Sequence, residues 1–250
     1  MADRLVFSRA SFLKFGTVAA AGTVLAACGF GEDNPLREVA EPEVGEGPVT
    51  GPDDALKRLE EGNARFVKGE TTDLNEGADR RAALTKEQKP FALILGCTDS
   101  QVPPELIFDR GFGDLMVVRA GGEVLDHSVI GSLEFGVKEL GIPLLMVLGH
   151  ENCGAVKASL TAISDNDPNN GEGDLAFLVN EIAVNIRPVK DKGAGKDPAV
   201  LLDDCVKANA RGVASALPAR SPVIKEAVDA GKLKIVTAYY DLDSGKADLL

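Results

Sequence analysis

From position 53 onward, the hydrophobic and polar positions follow two rhythms. Short apolar runs predict strands at Phe91 to Gly96, Leu115 to Arg119, Leu144 to Gly149 and Lys234 to Tyr240, and the first and third, led by Pro90 and Pro143, read as buried. Between them lie stretches with helical spacing. One starts near Pro52-Asp53-Asp54, where Ala55, Leu56, Leu59, Ala64, Phe66 and Val67 recur near helical spacing. Others are expected at 79–88, 105–109, 128–140, 154–163, 175–186, 199–217 and 221–230. Pro103-Pro104 breaks the chain, Gly121-Gly122 makes a turn, and Asp165 to Gly173 reads as a polar loop. Strands alternating with helices predict an α/β fold with a mostly parallel central sheet flanked by helices. In such sheets ligands gather beyond the carboxyl ends of the strands. No internal repeat is present.

The first 52 residues stand outside this pattern. Arg4, Arg9 and Lys14 precede an Ala-rich apolar run from Phe15 to Ala27, too short to span a bilayer comfortably. Residues 1–27 read as a signal peptide. Ser8 to Lys14 resembles a twin-arginine motif, with Ala10 where the second arginine belongs. Leu25-Ala26-Ala27-Cys28-Gly29 resembles a bacterial lipobox, which implies cleavage before Cys28 and lipidation of its sulfur and amino group. More than one acyl chain there would anchor the protein stably to a membrane. Gly29 to Pro52, rich in Gly, Pro and Glu, reads as a tether. The expected organisation is therefore signal peptide, lipid-attachment cysteine with tether at 28–52, and one domain at 53–250. The expected location is the cell envelope, on the outer side of the cytoplasmic membrane or in the periplasm.

Composition narrows the function. The net charge of -12 argues against nucleic acid, whose phosphates require basic patches. Tryptophan is absent, so the core must rest on Val, Ile, Leu and Ala. Four cysteines in 250 residues do not make a disulfide scaffold.

Three of the six cysteines and histidines fall in two short stretches, each after a predicted strand: Cys97-Thr98-Asp99-Ser100-Gln101 and His150-Glu151-Asn152-Cys153. Two thiolates and an imidazole with an open fourth position make a catalytic zinc site, at which a bound water becomes a nucleophile near neutral pH. Asp99 can hydrogen-bond that water or take the fourth position itself. The spacing alone leaves other readings open. These are a structural zinc completed by Asp99, a Cys97–Cys153 disulfide, and cysteines that merely fill the core.

The surrounding sequence resembles the beta-class carbonic anhydrases. The resemblance rests on Leu59-Glu60-Glu61-Gly62-Asn63-Ala64-Arg65-Phe66, on Gly96 to Glu105, on Gly113 to Arg119, on Ile130 to Phe135 and on Gly149 to Val156. It implies a four-stranded parallel sheet with a fifth edge strand, N-terminal helices wrapping a partner subunit, and a homodimer or higher homo-oligomer. It also implies zinc held by Cys97, His150 and Cys153, and reversible hydration of carbon dioxide to bicarbonate and a proton.

This chain departs from the family pattern at Gln101, where the family has an arginine that pairs with the aspartate and holds it off the metal. A neutral amide cannot offer a carboxylate the two parallel charged donors of a guanidinium. Asp99 and Gln101 are therefore the residues on which catalysis turns. Asp99 is expected to spend more time on the metal, slowing hydration, and a catalytically silent zinc-binding envelope protein is the alternative. Gly121-Gly122-Glu123 also replaces the family's Ala-Gly-Asn. Arg119 ends the neighbouring strand and is a candidate to substitute in part for the missing charge. His127 reads as a helix-start residue, Cys205 as core, and Glu105 and Asp109 as local structure.

Overall fold

The computed structural model describes residues 47–72, 75–165 and 172–250. The expected signal peptide, Cys28 and most of the tether lie outside the described residues. What is described of the tether sits on the domain. Arg58 donates through Nη2 to the Gly47 carbonyl (2.8 Å), and Val49 packs against the core.

Among the described residues five strands form one sheet: β1 (Ala92–Gly96), β2 (Leu115–Arg119), β3 (Leu144–His150), β4 (Lys234–Tyr240) and β5 (Ala247–Leu249). The order is β2-β1-β3-β4-β5. The first four strands are parallel, and β5 is antiparallel to β4 at the edge. Among the described residues the helices are α1 (Pro52–Lys68), α2 (Ala78–Leu84), α3 (Pro104–Ile107), α4 (His127–Lys138), α5 (Gly154–Ser164), α6 (Asp174–Lys192), α7 (Pro198–Arg220) and α8 (Pro222–Asp229).

Every residue of β1 and β3 is buried, so both faces of the sheet are covered. Side chains alternate across the sheet. Ile94, Met146, Leu148 and Ala238 point to the face carrying Ala55, Leu56 and Leu59 of α1 and Ile107 of α3. Leu93, Leu95, Leu145 and Val147 point to the face of α4, α7 and α8, with Leu133, Ala210, Val213 and Ile224. Burying each Leu, Ile, Val or Met among them stabilises the fold by about 1.5–3 kcal/mol. A third cluster gathers α5, α6 and α7 around Cys97 and Cys153.

Helix α1 starts at Pro52, with Asp53 and Asp54 in its first turn, and ends on the left-handed Gly69. It lies on this chain's own sheet. Gly62 permits that approach, because a Cβ there would meet the Phe108 carbonyl oxygen at 1.8 Å. At the next position, buried Asn63 donates to the carbonyls of Ile107 and Gly245 and accepts from the Ala247 N–H. Asn63 thus holds the start of β5.

The structure departs from the hydrophobic pattern at element ends. Ala-Asp-Leu of β5 is too short and polar to read as a strand, although the family resemblance implied one. Helix α6 continues past Ile186 and through Pro188. The carbonyl that Pro188 leaves without an N–H belongs to Val184, a residue 73% exposed, so water can satisfy it. Helix α2 stops at Leu84, and its Thr85 hydroxyl turns back onto the Ala82 carbonyl.

Candidate metal centre

In the sheet register Gly96 lies beside Leu148 on the neighbouring strand. The chain therefore leaves β1 at Cys97 close to where β3 ends at His150. Two residues on, Asn152 takes a left-handed turn (φ 53°), and Cys153 precedes the first turn of α5. One side-chain atom from each of Cys97, Asp99, His150 and Cys153 falls within a single cluster, every pair within 4.8 Å.

The spacing fits a tetrahedral ion. With metal–sulfur bonds of ~2.3 Å, two sulfurs on one tetrahedron lie about 3.8 Å apart, and with ~2.0 Å bonds a nitrogen and an oxygen lie about 3.3 Å apart. The Cys97 and Cys153 sulfurs are 3.9 Å apart, and His150 Nε2 is 3.3 Å from Asp99 Oδ2. A disulfide would hold the sulfurs at about 2.05 Å, so the Cys97–Cys153 bridge weighed from the sequence is not formed.

Burial and hydrogen bonding point the same way. His150 is fully buried, and its Nδ1 meets the Glu151 carbonyl at 2.9 Å. That contact presents Nε2 as a lone pair toward the cluster, where it is buried without a hydrogen-bond partner. The Cys153 thiol, 3.9 Å away, and the Gly122 N–H (3.4 Å) face the Cys97 sulfur and hold its thiol below the usual range against the cost of burial. The neighbouring Cys97 sulfur and then burial hold the Cys153 proton more tightly. A thiolate is thus already favoured at Cys97. These donors suit a borderline-soft divalent cation.

Asp99 is about one-third exposed, and Oδ2 also lies 3.5 Å from the Gly154 N–H. Gln101 is exposed in the turn that follows, and no hydrogen bond joins it to Asp99. Arg119 stands closer. It donates through Nε to the Cys97 carbonyl (2.7 Å) and through Nη2 to the Asp99 carbonyl, holding the loop by its backbone.

The peripheral residues sort as the sequence suggested. His127 opens α4, behind an Asp126 cap whose carboxylate accepts from Val129 N–H (2.7 Å). Cys205 is fully buried in the core. Asp109 binds Arg65 and Thr72 and so holds local structure, and the Glu105 backbone carbonyl accepts from the Arg110 N–H. What sequence reasoning passed over is the environment of Glu123. This carboxyl is buried behind the Gly121–Glu123 turn, its Oε1 has no partner, and burial followed by the Cys97 charge pushes its pKa well above the carboxylate range. The unusual Gly-Gly-Glu at a strand end was the available signal.

A family model for carbonic anhydrase matches residues 92–247. The chain belongs to the beta-class carbonic anhydrases. Carbonic anhydrase 2 of Mycobacterium tuberculosis is 41% identical over 202 residues, covering 81% of this chain and 94% of that protein. The carbonic anhydrase of Mycolicibacterium smegmatis is 38% identical over the same length, covering 81% and 95%. Among solved structures, a Coccomyxa beta-carbonic anhydrase in complex with acetazolamide superposes with a TM-score of 0.59 at 28% identity, covering 68% of this chain and 75% of that one. A tetrameric beta-carbonic anhydrase from Sordaria macrospora shares the fold, with a TM-score of 0.61 at 21% identity over 68% and 85% of the chains. As a beta-class carbonic anhydrase this chain is a lyase and a zinc protein, and the Cys-Asp-His-Cys cluster suits that ion.

Proposed function

We propose that this chain catalyses the reversible hydration of carbon dioxide to bicarbonate and a proton, at a zinc ion held by Cys97, His150 and Cys153. The observation that carries the reading is the convergence of both sulfurs with the unpartnered, buried His150 Nε2. Zinc at such a site lowers the pKa of water toward neutrality and so supplies a nucleophile. The chain's own residues do the rest. Glu151 fixes the His150 ring, Gly122 N–H faces the Cys97 sulfur, and Arg119 holds the loop that carries Asp99.

Asp99 governs access. Its 3.3 Å approach to His150 Nε2 matches a carboxylate in the fourth position, a closed arrangement that must open for turnover. That distance also favours the second reading, a zinc-binding relative in which Asp99 keeps the site shut because Gln101 gives it no charged partner. Stopped-flow hydration on the zinc-loaded protein, with Gln101→Arg beside it, separates the two. The enzyme reading expects a parent rate above background that Gln101→Arg raises. A parent at background, with activity gained only in the variant, overturns it in favour of the silent relative.

The wider setting follows the same proposal. Lipid on Cys28 would place the enzyme at the cell envelope, and the tetrameric state named for the Sordaria macrospora structures supports a homo-oligomer here.

A further inference from the structure

Behind the metal cluster a second layer of polar side chains is organised around one residue that no motif marks. Asn209, on α7, is fully buried. Its Nδ2 donates to the Gly122 carbonyl (2.8 Å) and lies 3.3 Å from Glu123 Oε2, while its Oδ1 accepts from Asn185 Nδ2 (3.0 Å) on α6. Asn185 is itself wedged against α7. A Cβ on Gly212 would meet its side-chain oxygen at 2.3 Å.

The segment that Asn209 grips is under conformational constraint. Gly122 and Glu123 are consecutive left-handed residues, at φ 58° and 55°. Glycine adopts that region freely, but a buried glutamate does so only when its surroundings impose it. A Cβ on Gly122 would meet Ile182 Cδ1 at 2.6 Å, so packing also presses on the turn. The result of this geometry is that the Gly122 N–H points at the Cys97 sulfur, 3.4 Å away. An N–H donated to a ligating thiolate withdraws charge from it and fixes its direction, as outer-shell partners of metal ligands do.

We propose that Asn209 is a positioning residue of the metal centre. It clamps the Gly121–Glu123 turn and so keeps the Gly122 N–H on the Cys97 sulfur, which tunes how strongly that thiolate donates to the metal. Asn185 holds Asn209 in the orientation the clamp needs. The inference rests on Cys97 being a metal ligand.

The test replaces Asn209 by Ala in the full chain and loads it with Co2+, whose thiolate-to-metal charge-transfer band reports on the sulfur directly. Losing the N–H raises the energy of the sulfur lone pairs. The band is therefore expected to move to longer wavelength relative to the parent, and the pH midpoint of carbon dioxide hydration by the zinc form to move upward. A role confined to packing would lower thermal stability but leave band position and midpoint in place, and that result overturns the proposal. If Asn209→Ala does not fold, Asn185→Ala removes only the supporting bond. It is expected to give a smaller shift in the same direction, and an unmoved band in that variant likewise counts against the clamp. A parent protein with no charge-transfer band at all would refute metal ligation by thiolate, a failure of the underlying reading distinct from an unmoved band.

Discussion

Arg119 binds Asp99 by its backbone. The guanidinium spans the Cys97 and Asp99 carbonyls at the carboxyl end of β2, so the charge next to the loop fixes the main chain while the Asp99 side chain remains in the metal cluster. Arg119→Ala is expected to lose two bonds from a charged donor and to destabilise the fold by about 1–3 kcal/mol. Zinc content should stay at one per chain, since no ligand changes. Hydration should fall roughly 10–100-fold, the usual scale for outer-shell partners. Arg119→Lys, which cannot fork, should recover little of the loss. Wild-type activity in Arg119→Ala would refute the role.

Removal of a ligand gives a sharper result. Cys153→Ser should lose most of its zinc after dialysis, and Cys205→Ser, whose sulfur lies in the core away from the cluster, should keep it. Metal analysis of the two purified proteins is the measurement. Equal zinc in both would remove Cys153 from the ligand set.

The acid limb of stability should carry the mark of Asp109. Burial works to raise its pKa, but the Arg65 ion pair and the bonds from Thr72 outweigh that and hold it below the carboxylate range. A lowered folded-state pKa means the contribution is present above the unfolded value of about 3.9 and is lost as pH falls through the folded one. Asp109→Asn should therefore destabilise the protein at pH 7 and converge on the parent near the acid end. Urea unfolding across pH checks this, and a constant difference at all pH values would contradict it.

Leu95 is fully buried, two residues before Cys97, on the face packed by α4, α7 and α8. Leu95→Ala is expected to cost about 2–5 kcal/mol. The cobalt band position should be unchanged in protein that still folds, because Leu95 touches the site only through packing. Denaturant melts and the band together check both halves.

Much of this was legible in the sequence. The strands at 115–119 and 234–240 match the pattern to the residue, because each is a short, mostly apolar run that follows a glycine turn, at Gly113 and at Gly231. Cys97, Asp99, His150 and Cys153 were legible as a set because both stretches end predicted strands and ligands collect there. What stayed hidden depends on contacts distant in the chain. Strand β5 forms because Asn63, 184 positions away, meets the Ala247 N–H. Asn209 reaches Gly122 across 87 positions, and nothing in the spacing of a helical asparagine announces that partner. Gln101 was legible as a departure from the family, yet only the coordinates show that Arg119 grips the same loop by a different handle.

The register that sets Gly96 beside Leu148 joins two stretches more than fifty positions apart at a point where no covalent link connects them. An ion held by Cys97, His150 and Cys153 would tie those strand ends together and bind the folded chain alone. Its affinity then appears as folding stability, growing with free metal by RT ln(1 + [metal]/Kd). Stripped of zinc, the sheet should fray first at this end, so the ion that serves the chemistry would also act as the rivet of the sheet.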